Sequence, residues 1–330
     1  MDINSLKIKN MLYQMFILGL DSTTLDENVN LQNALKKGLG GVIFFTKNIQ
    51  SFEQIKKLTD DIKNCAKYPT FLAIDQEGGR VERSENIFGG KKYLSAKFAA
   101  QKGESFLKEQ TKQISLDLKM MGMNLNFAPC IDVNTNPNNP IIGERAFSNN
   151  AEDVAKFGNI VVKTYLEEGI IPCTKHFPGH GDASVDSHLC LPVIEMSKEE
   201  LEVNHISPFK KVLSPMVMVA HLHVKAFDEI KIPSSLSKNV VGYLKENLDY
   251  NPILITDDMV MGGVLGHNPV DACILAIKAG INILLYRDSD DSTIEIIEKI
   301  AELALEDEEL AFNIRLSAEK IINFKSNFFV

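Results

Sequence analysis

The chain has 330 residues, of which 45% are hydrophobic and 24% charged. That balance belongs to a soluble globular protein with an extensive core and excludes a disordered chain. A net charge of −9 argues against nucleic acid or an anionic membrane as partner, because both select a positive surface.

The apolar stretch at residues 12–20 is interrupted by Gln14 and is followed by Asp21 without a small-residue cleavage site. It is read as a first strand rather than a signal peptide. No run approaches the ~18 consecutive apolar residues of a membrane span. With this first run at residues 13–20 there are eight β-rich apolar runs, the others at 41–45, 70–75, 124–130, 170–176, 216–221, 253–257 and 281–286. Most lack polar alternation, as expected of strands covered on both faces. Helical spacing fills the gaps, at 51–65, at 151–168 behind Asn149 and Asn150, at 197–213 and at 237–248. Eight alternations predict an α/β fold, a (β/α)8 TIM-type barrel, with a doubly wound open sheet as the other topology that periodicity allows.

The tail, about residues 288–325, is read as one or two acidic amphipathic helices with Ile294, Ile297, Ala301 and Leu305 on one face. No Pro/Gly/Ser-rich linker divides the chain, so residues 1–330 are taken as a single catalytic domain. Cys65, Cys130, Cys173, Cys190 and Cys273 are odd in number and mostly flanked by apolar residues, which suggests buried thiols and a reducing compartment.

In such barrels chemistry gathers at the carboxyl ends of strands. Here those ends are polar: Asp75-Gln76-Glu77-Gly78-Gly79-Arg80 continuing to Arg83, Asp132 with the loop to Arg145, Lys175-His176, His221-Leu222-His223, and Asp257-Asp258. Any one of them alone is ordinarily structural. Five together are economically explained by one site, since each buried ionisable group needs a partner. The glycine-punctuated stretch from Lys175 to His188 holds His176, His180 and His188 with Asp182 and Asp186. It matches no zinc signature. Asp186 and His188 are read as a dyad in which the carboxylate orients and supports a protonated imidazole, while His180 is read as a solvated loop residue. Gly179 and Gly181 are expected to permit hinge motion.

These residues carry a resemblance. Asp75-Gln76-Glu77-Gly78-Gly79-Arg80-Val81 with Arg83, Asn126-Phe127-Ala128-Pro129 with Asp132-Val133, Ile142-Gly143 with Arg145, the Lys175–His188 loop, and Thr256-Asp257-Asp258-Met259 resemble, in order, the blocks of the family 3 glycoside hydrolases. Within that family the chain is similar to the bacterial β-N-acetylglucosaminidases of peptidoglycan recycling. The resemblance implies a retaining hydrolase without cofactor or metal. It would remove terminal β-linked N-acetylglucosamine from 1,6-anhydro-N-acetylmuramic acid or its peptides, as a monomer acting on a small molecule. Asp257 matches the nucleophile, His188 the acid/base and Asp186 its partner. Asp75, Arg83, Arg145, Lys175 and His176 match the sugar-binding positions. Ala183 stands where Thr is more usual, and Asn282 where Asp is.

The chemistry suits those residues: an oxocarbenium-like transition state needs a carboxylate on one ring face and a proton donor at the departing oxygen. Strand alternation predicts that only one of Asp257 and Asp258 faces the site, with Asp258 the fallback nucleophile. Two rival classes are a metal-dependent amidohydrolase-like barrel, suggested by His221 and His223, and a non-catalytic sugar-binding protein.

Overall fold

The computed structural model describes residues 3–183, 191–264 and 266–329. Its centre is a closed barrel of eight parallel strands. They are β1 (Phe16–Leu18), β2 (Gly41–Phe44), β3 (Phe71–Ile74), β4 (Leu125–Asn126), β5 (Ile171–Phe177), β6 (Met216–Val219), β7 (Ile253–Asp258) and β8 (Ile283–Tyr286). Each predicted run holds one strand, and each strand pairs with its neighbours in sequence. Closure comes from β1, where Phe16 is in register with Leu284 on one side and Ile17 with Gly41 on the other. Open doubly wound topology is thereby excluded. The strands are buried along nearly their whole length, which explains their continuous apolar character. At Gly41 a Cβ would come 2.8 Å from Ile17 and 2.9 Å from Phe71, so only glycine lets β2 fit between its neighbours.

The helices start where hydrogen-bonding caps stand. Ser51 Oγ accepts from Gln54 N–H at 3.1 Å, Asn150 Oδ1 from Glu152 N–H at 2.9 Å, and Ser237 Oγ from Val240 N–H at 3.0 Å. The segment at 197–213 is less regular than its spacing predicted. A capping box between Ser197 and Glu200 opens Lys198–Leu201, a wide π turn follows at Glu202–Ile206, and the α form resumes only at Ser207–Lys211. Pro208 is the physical reason, because it has no N–H for the carbonyl one turn earlier.

Two expectations at the termini are corrected. Residues 13–20 are not all strand: the helix Ile3–Gln14 takes Tyr13 and Gln14, and β1 begins only at Phe16. A continuous apolar run cannot mark where a buried helix ends and a buried strand begins. In the tail, Asp290 caps Asp291–Leu303 and Asp307 caps Glu308–Phe328. Ile297 and Ala301 are buried and Ile294 half-buried, but Leu305 is 56% exposed, because the helix stops at Leu303 and Leu305 falls in the turn.

Candidate active site

At the carboxyl end of the barrel the strands leave an open cavity of about 340 Å³. Asp75, Arg83, Arg145, Lys175, His176 and Asp257 all border it, so six of the eight residues singled out in the sequence converge on one place. The other two, Asp186 and His188, lie outside the described residues.

One wall is an ion cluster. Lys175 Nζ, on a side chain only 2% exposed, lies 2.6 Å from Asp75 Oδ1 and 2.7 Å from Glu77 Oε1. Arg145 forks onto Glu77, with Nε to Oε2 at 2.9 Å and Nη2 to Oε1 at 2.8 Å. Burial pushes the Glu77 carboxyl up, but Arg145 and Lys175 outweigh it and hold the group well below the usual carboxylate range. Burial likewise opposes the charge on Lys175, and Asp75 and Glu77 overcome it, raising the ammonium above its ordinary value. Arg83 completes the wall, 4.0 Å from Asp75 Oδ2 and over the Phe45 ring; its buried Nε has no partner among the described residues. Glu77 was quoted in the sequence motif but given no role, and it is the hub of the cluster. A carboxylate followed directly by two glycines and Arg80 was the available signal.

The second wall is organised by Asp132, which is fully buried. Its Oδ2 takes His176 Nδ1 at 2.6 Å and its Oδ1 takes the His180 N–H at 2.6 Å. His176 thus has a fixed ring, with Nε2 3.4 Å from Arg145 Nη2. Burial would raise the Asp132 carboxyl, yet His176 and the His180 amide hold it far below the usual range. Cys130 Sγ also reaches Asp132 Oδ2, at 3.2 Å. A thiol and an imidazole thus share one carboxylate oxygen. His180 corrects the sequence reading: it is 1% exposed and borders the cavity. Residues 179–181 pack closely: at Gly181 a Cβ would come 1.7 Å from the Val133 carbonyl, and at Gly179 one would come 2.6 Å from His205 Cβ. Both glycines are required by close packing.

The adjacent aspartates are also corrected. Alternation predicted one facing the site, yet both Asp257 and Asp258 border the cavity. Between Ile283↔Ile255 and Leu285↔Asp258 the β7–β8 register slips by one residue, and Leu285 N–H takes Thr256 Oγ1 instead of a ladder carbonyl. This bulge re-aims the strand end. The two carboxyls differ in their surroundings. Burial opposes charge on Asp257, but His176, His221, the Asp258 N–H at 2.8 Å and Lys175 hold it below its ordinary value. Asp258 is pushed up to about 6 by burial, against the pull of Arg287, whose Nε it binds. Arg287, just past β8, was not singled out in the sequence, although the test of what each strand ends in applied to β8 as well.

His221 and His223 are not a metal pair. His221 lies between Ser235 Oγ at 2.7 Å and the Asp258 carbonyl at 3.1 Å, while His223 Nδ1 is 3.3 Å from the Ile232 carbonyl. Neither borders the cavity.

Known proteins resemble this arrangement. The family profile described as Glycosyl hydrolase family 3 N terminal domain matches residues 6–323. "Beta-hexosaminidase A" of Pseudoalteromonas piscicida is 36% identical over 272 residues, covering 75% of this chain and 45% of the relative. "Beta-hexosaminidase" of Neisseria meningitidis serogroup B (strain ATCC BAA-335 / MC58) is 31% identical over 279 residues, covering 81% of this chain and 76% of the relative. Among solved structures, a glycoside hydrolase family 3 beta-N-acetylglucosaminidase from Paenibacillus sp. str. FPU-7 superposes with a TM-score of 0.87 at 28% identity, over 96% of this chain and 62% of that one. The chain therefore spans under half the length of the first relative and under two thirds of the Paenibacillus protein.

Proposed function

Because the chain belongs to glycosyl hydrolase family 3, we propose that it is a retaining exo-β-N-acetylglucosaminidase with Asp257 as nucleophile. One observation carries the reading: Asp257, its carboxyl held below its ordinary value, borders the same cavity as Asp75, Arg83, Arg145, Lys175 and His176, polar groups suited to sugar hydroxyls. A cavity near the lower end of the roughly 300–1,000 Å³ of small-molecule sites takes one sugar ring rather than a chain, which favours removal of a terminal residue.

In the first step an Asp257 oxygen bonds to the anomeric carbon as the glycosidic bond breaks, and the departing oxygen takes a proton from the His188 imidazolium. In the second, neutral His188 removes a proton from water, whose oxygen attacks the same carbon and releases Asp257 as carboxylate. Asp186 supports the charged imidazole. An imidazole with an ordinary pKa of about 6.5 needs little tuning to serve as acid and then base near neutrality. The resemblance to the recycling enzymes supports N-acetylglucosaminyl-1,6-anhydro-N-acetylmuramic acid and its peptides as substrates, met by a monomer in the cytoplasm. The acidic net charge and the lack of any described helix long and apolar enough to cross a membrane accord with a small diffusible substrate. Trapping with a 2-fluoro or 5-fluoro glycosyl donor followed by peptide mass analysis tests the mechanism. A label on Asp257 supports it. Product of inverted configuration, or a label elsewhere, defeats it.

A further inference from the structure

We propose that Asp258, clamped by Arg287, is the positioning residue for the nucleophile. The inference rests on Asp257 being that nucleophile.

Asp258 makes more contacts at the strand end than any hydroxyl-binding role requires. Its N–H donates to Asp257 Oδ1 at 2.8 Å. Its carbonyl lies 3.1 Å from His221 Nε2 and accepts the Met261 N–H at 3.0 Å. Its carboxylate takes the Val260 and Arg287 N–H groups on Oδ1, at 3.2 and 3.3 Å, and the Arg287 Nε on Oδ2. The residue thus ties the end of β7, the following turn and the end of β8 together at the point where the register between the two strands slips. Past the slip the backbone meets β8 again where the Met259 N–H donates to the Leu285 carbonyl at 2.9 Å, and the side-chain bonds of Asp258 add a second hold on the direction of the strand end.

Arg287 is in turn fixed from the other side. Gly19 N–H donates to the Tyr286 carbonyl at 2.9 Å, and a Cβ at Gly19 would come 1.8 Å from the Arg287 carbonyl oxygen, so the residue just past β1 packs directly on the residue that carries the guanidinium. The clamp also has an electrostatic purpose. Two adjacent carboxyls at one cavity repel, and a free Asp258 would compete with Asp257 for cations, water and the anomeric carbon. Paired with Arg287, Asp258 is neutralised and turned into a brace. Among the described residues the charged and titratable groups facing Asp258 are Arg287, Asp257, the Tyr286 hydroxyl and the His221 imidazole against its carbonyl. With the Asp258 carboxyl at about 6, acid protonates it, breaks its pairing with Arg287 and loosens the nucleophile before Asp257 itself loses charge.

The test uses the full chain and an aryl β-N-acetylglucosaminide with a good leaving group, so that attack by Asp257 is not masked by proton transfer. In Asp258→Asn and Arg287→Met, kcat is expected to fall on the order of 10- to 100-fold, the scale of a misplaced reacting atom, while KM stays within about two-fold. The acid limb of the kcat/KM profile, near 6 in the unaltered protein, should vanish in Asp258→Asn and move up in Arg287→Met. Arg287→Lys, which keeps the charge, should recover part of the loss. Circular dichroism and thermal melting identify any variant that fails to fold, and the remaining variants then decide. Asp258→Asn with kcat within about three-fold and an unmoved acid limb overturns the clamp. The fluoro-donor label separates the two readings: on Asp257 with an indifferent Asp258→Asn, only the clamp fails; on Asp258 itself, the nucleophile assignment fails with it.

Discussion

The two ends of the barrel solve the same problem, polar groups among buried strands, in opposite ways. At the floor, where the strands begin, the side chains serve the backbone. Asn124 Oδ1 accepts the Leu72 N–H at 2.8 Å, and Asn282 Oδ1 accepts the Leu254 N–H at 2.9 Å while its Nδ2 reaches Ser317 Oγ at 3.1 Å. Even a cation buried at the floor, Lys325, 2% exposed, donates to the Gly40 carbonyl at 2.7 Å and to Gln14 Oε1 at 3.1 Å, and lies 4.6 Å from the Phe71 ring centroid. At the mouth, ionised groups neutralise one another around an open space. The floor saturates neutral groups and closes. The mouth keeps charges in balance and leaves room, which is costly for stability and useful for binding an uncharged, hydroxyl-rich ligand.

The comparison breaks most sharply at Asp257. Asp257→Ala should lower turnover by roughly 10⁴-fold or more, as loss of a group acting in concert with others does, with melting temperature little changed. Residual activity within tenfold would mean that the mouth does not work through this carboxylate. Next in size, His188→Ala should cost about 10²- to 10³-fold on substrates with poor leaving groups and far less on activated aryl glycosides. Equal losses on both would remove His188 from proton transfer. A strong chelator should leave both rates unchanged.

The barrel was legible because eight apolar runs and capped helices recur with regular spacing, and most of the mouth was legible because its residues close the strands. What stayed hidden depended on departures from local periodicity. The Tyr13–Gln14 boundary looked like strand because burial on all sides erases the helical pattern. The slip at Thr256 defeated the alternation rule that separated Asp257 from Asp258. Glu77, Asp132 and Arg287 were visible as charged residues beside the motifs, but their roles arise from partners about 70, 44 and 29 positions away, and no spacing in one sequence reveals such pairs.

Glu77→Gln probes how the mouth balances its charge. It leaves Arg145 with no carboxylate partner among the described residues and Lys175 with Asp75 alone, so a loss of about 3 kcal/mol in stability is expected, along with weaker sugar binding. Because the Glu77 and Asp132 carboxyls are held below their unfolded values, their contribution is complete above about pH 4.3 and drains away as the pH falls toward the lower folded values. Urea unfolding at pH 7 and pH 3 should show the Glu77→Gln deficit shrinking in acid. Lys325→Met probes the floor. Burial pushes that ammonium down to about 7, so the folded protein binds fewer protons than the unfolded chain between about 7 and 10.4, and stability rises with pH across that window. The methionine variant should lose this rise and keep its kcat. An unchanged slope would mean that the carbonyls and the Phe71 ring hold the charge as well as water does.

The smallest effect belongs to Asn282, where the family more often has Asp. Asn282→Ala removes the acceptor for the Leu254 N–H near the start of β7 and the donor to Ser317 on the last helix, so a stability loss of about 1–2 kcal/mol is expected from the stranded amide. Asn282→Asp keeps the acceptor and gives up only the donor, and should lie between the two. Neither should alter kcat or KM, since no floor residue borders the cavity. A change in turnover at Asn282 with an intact melting curve would show that the register of β7 at its start governs the aim of Asp257 at its end, and the separation of floor from mouth would have to be given up.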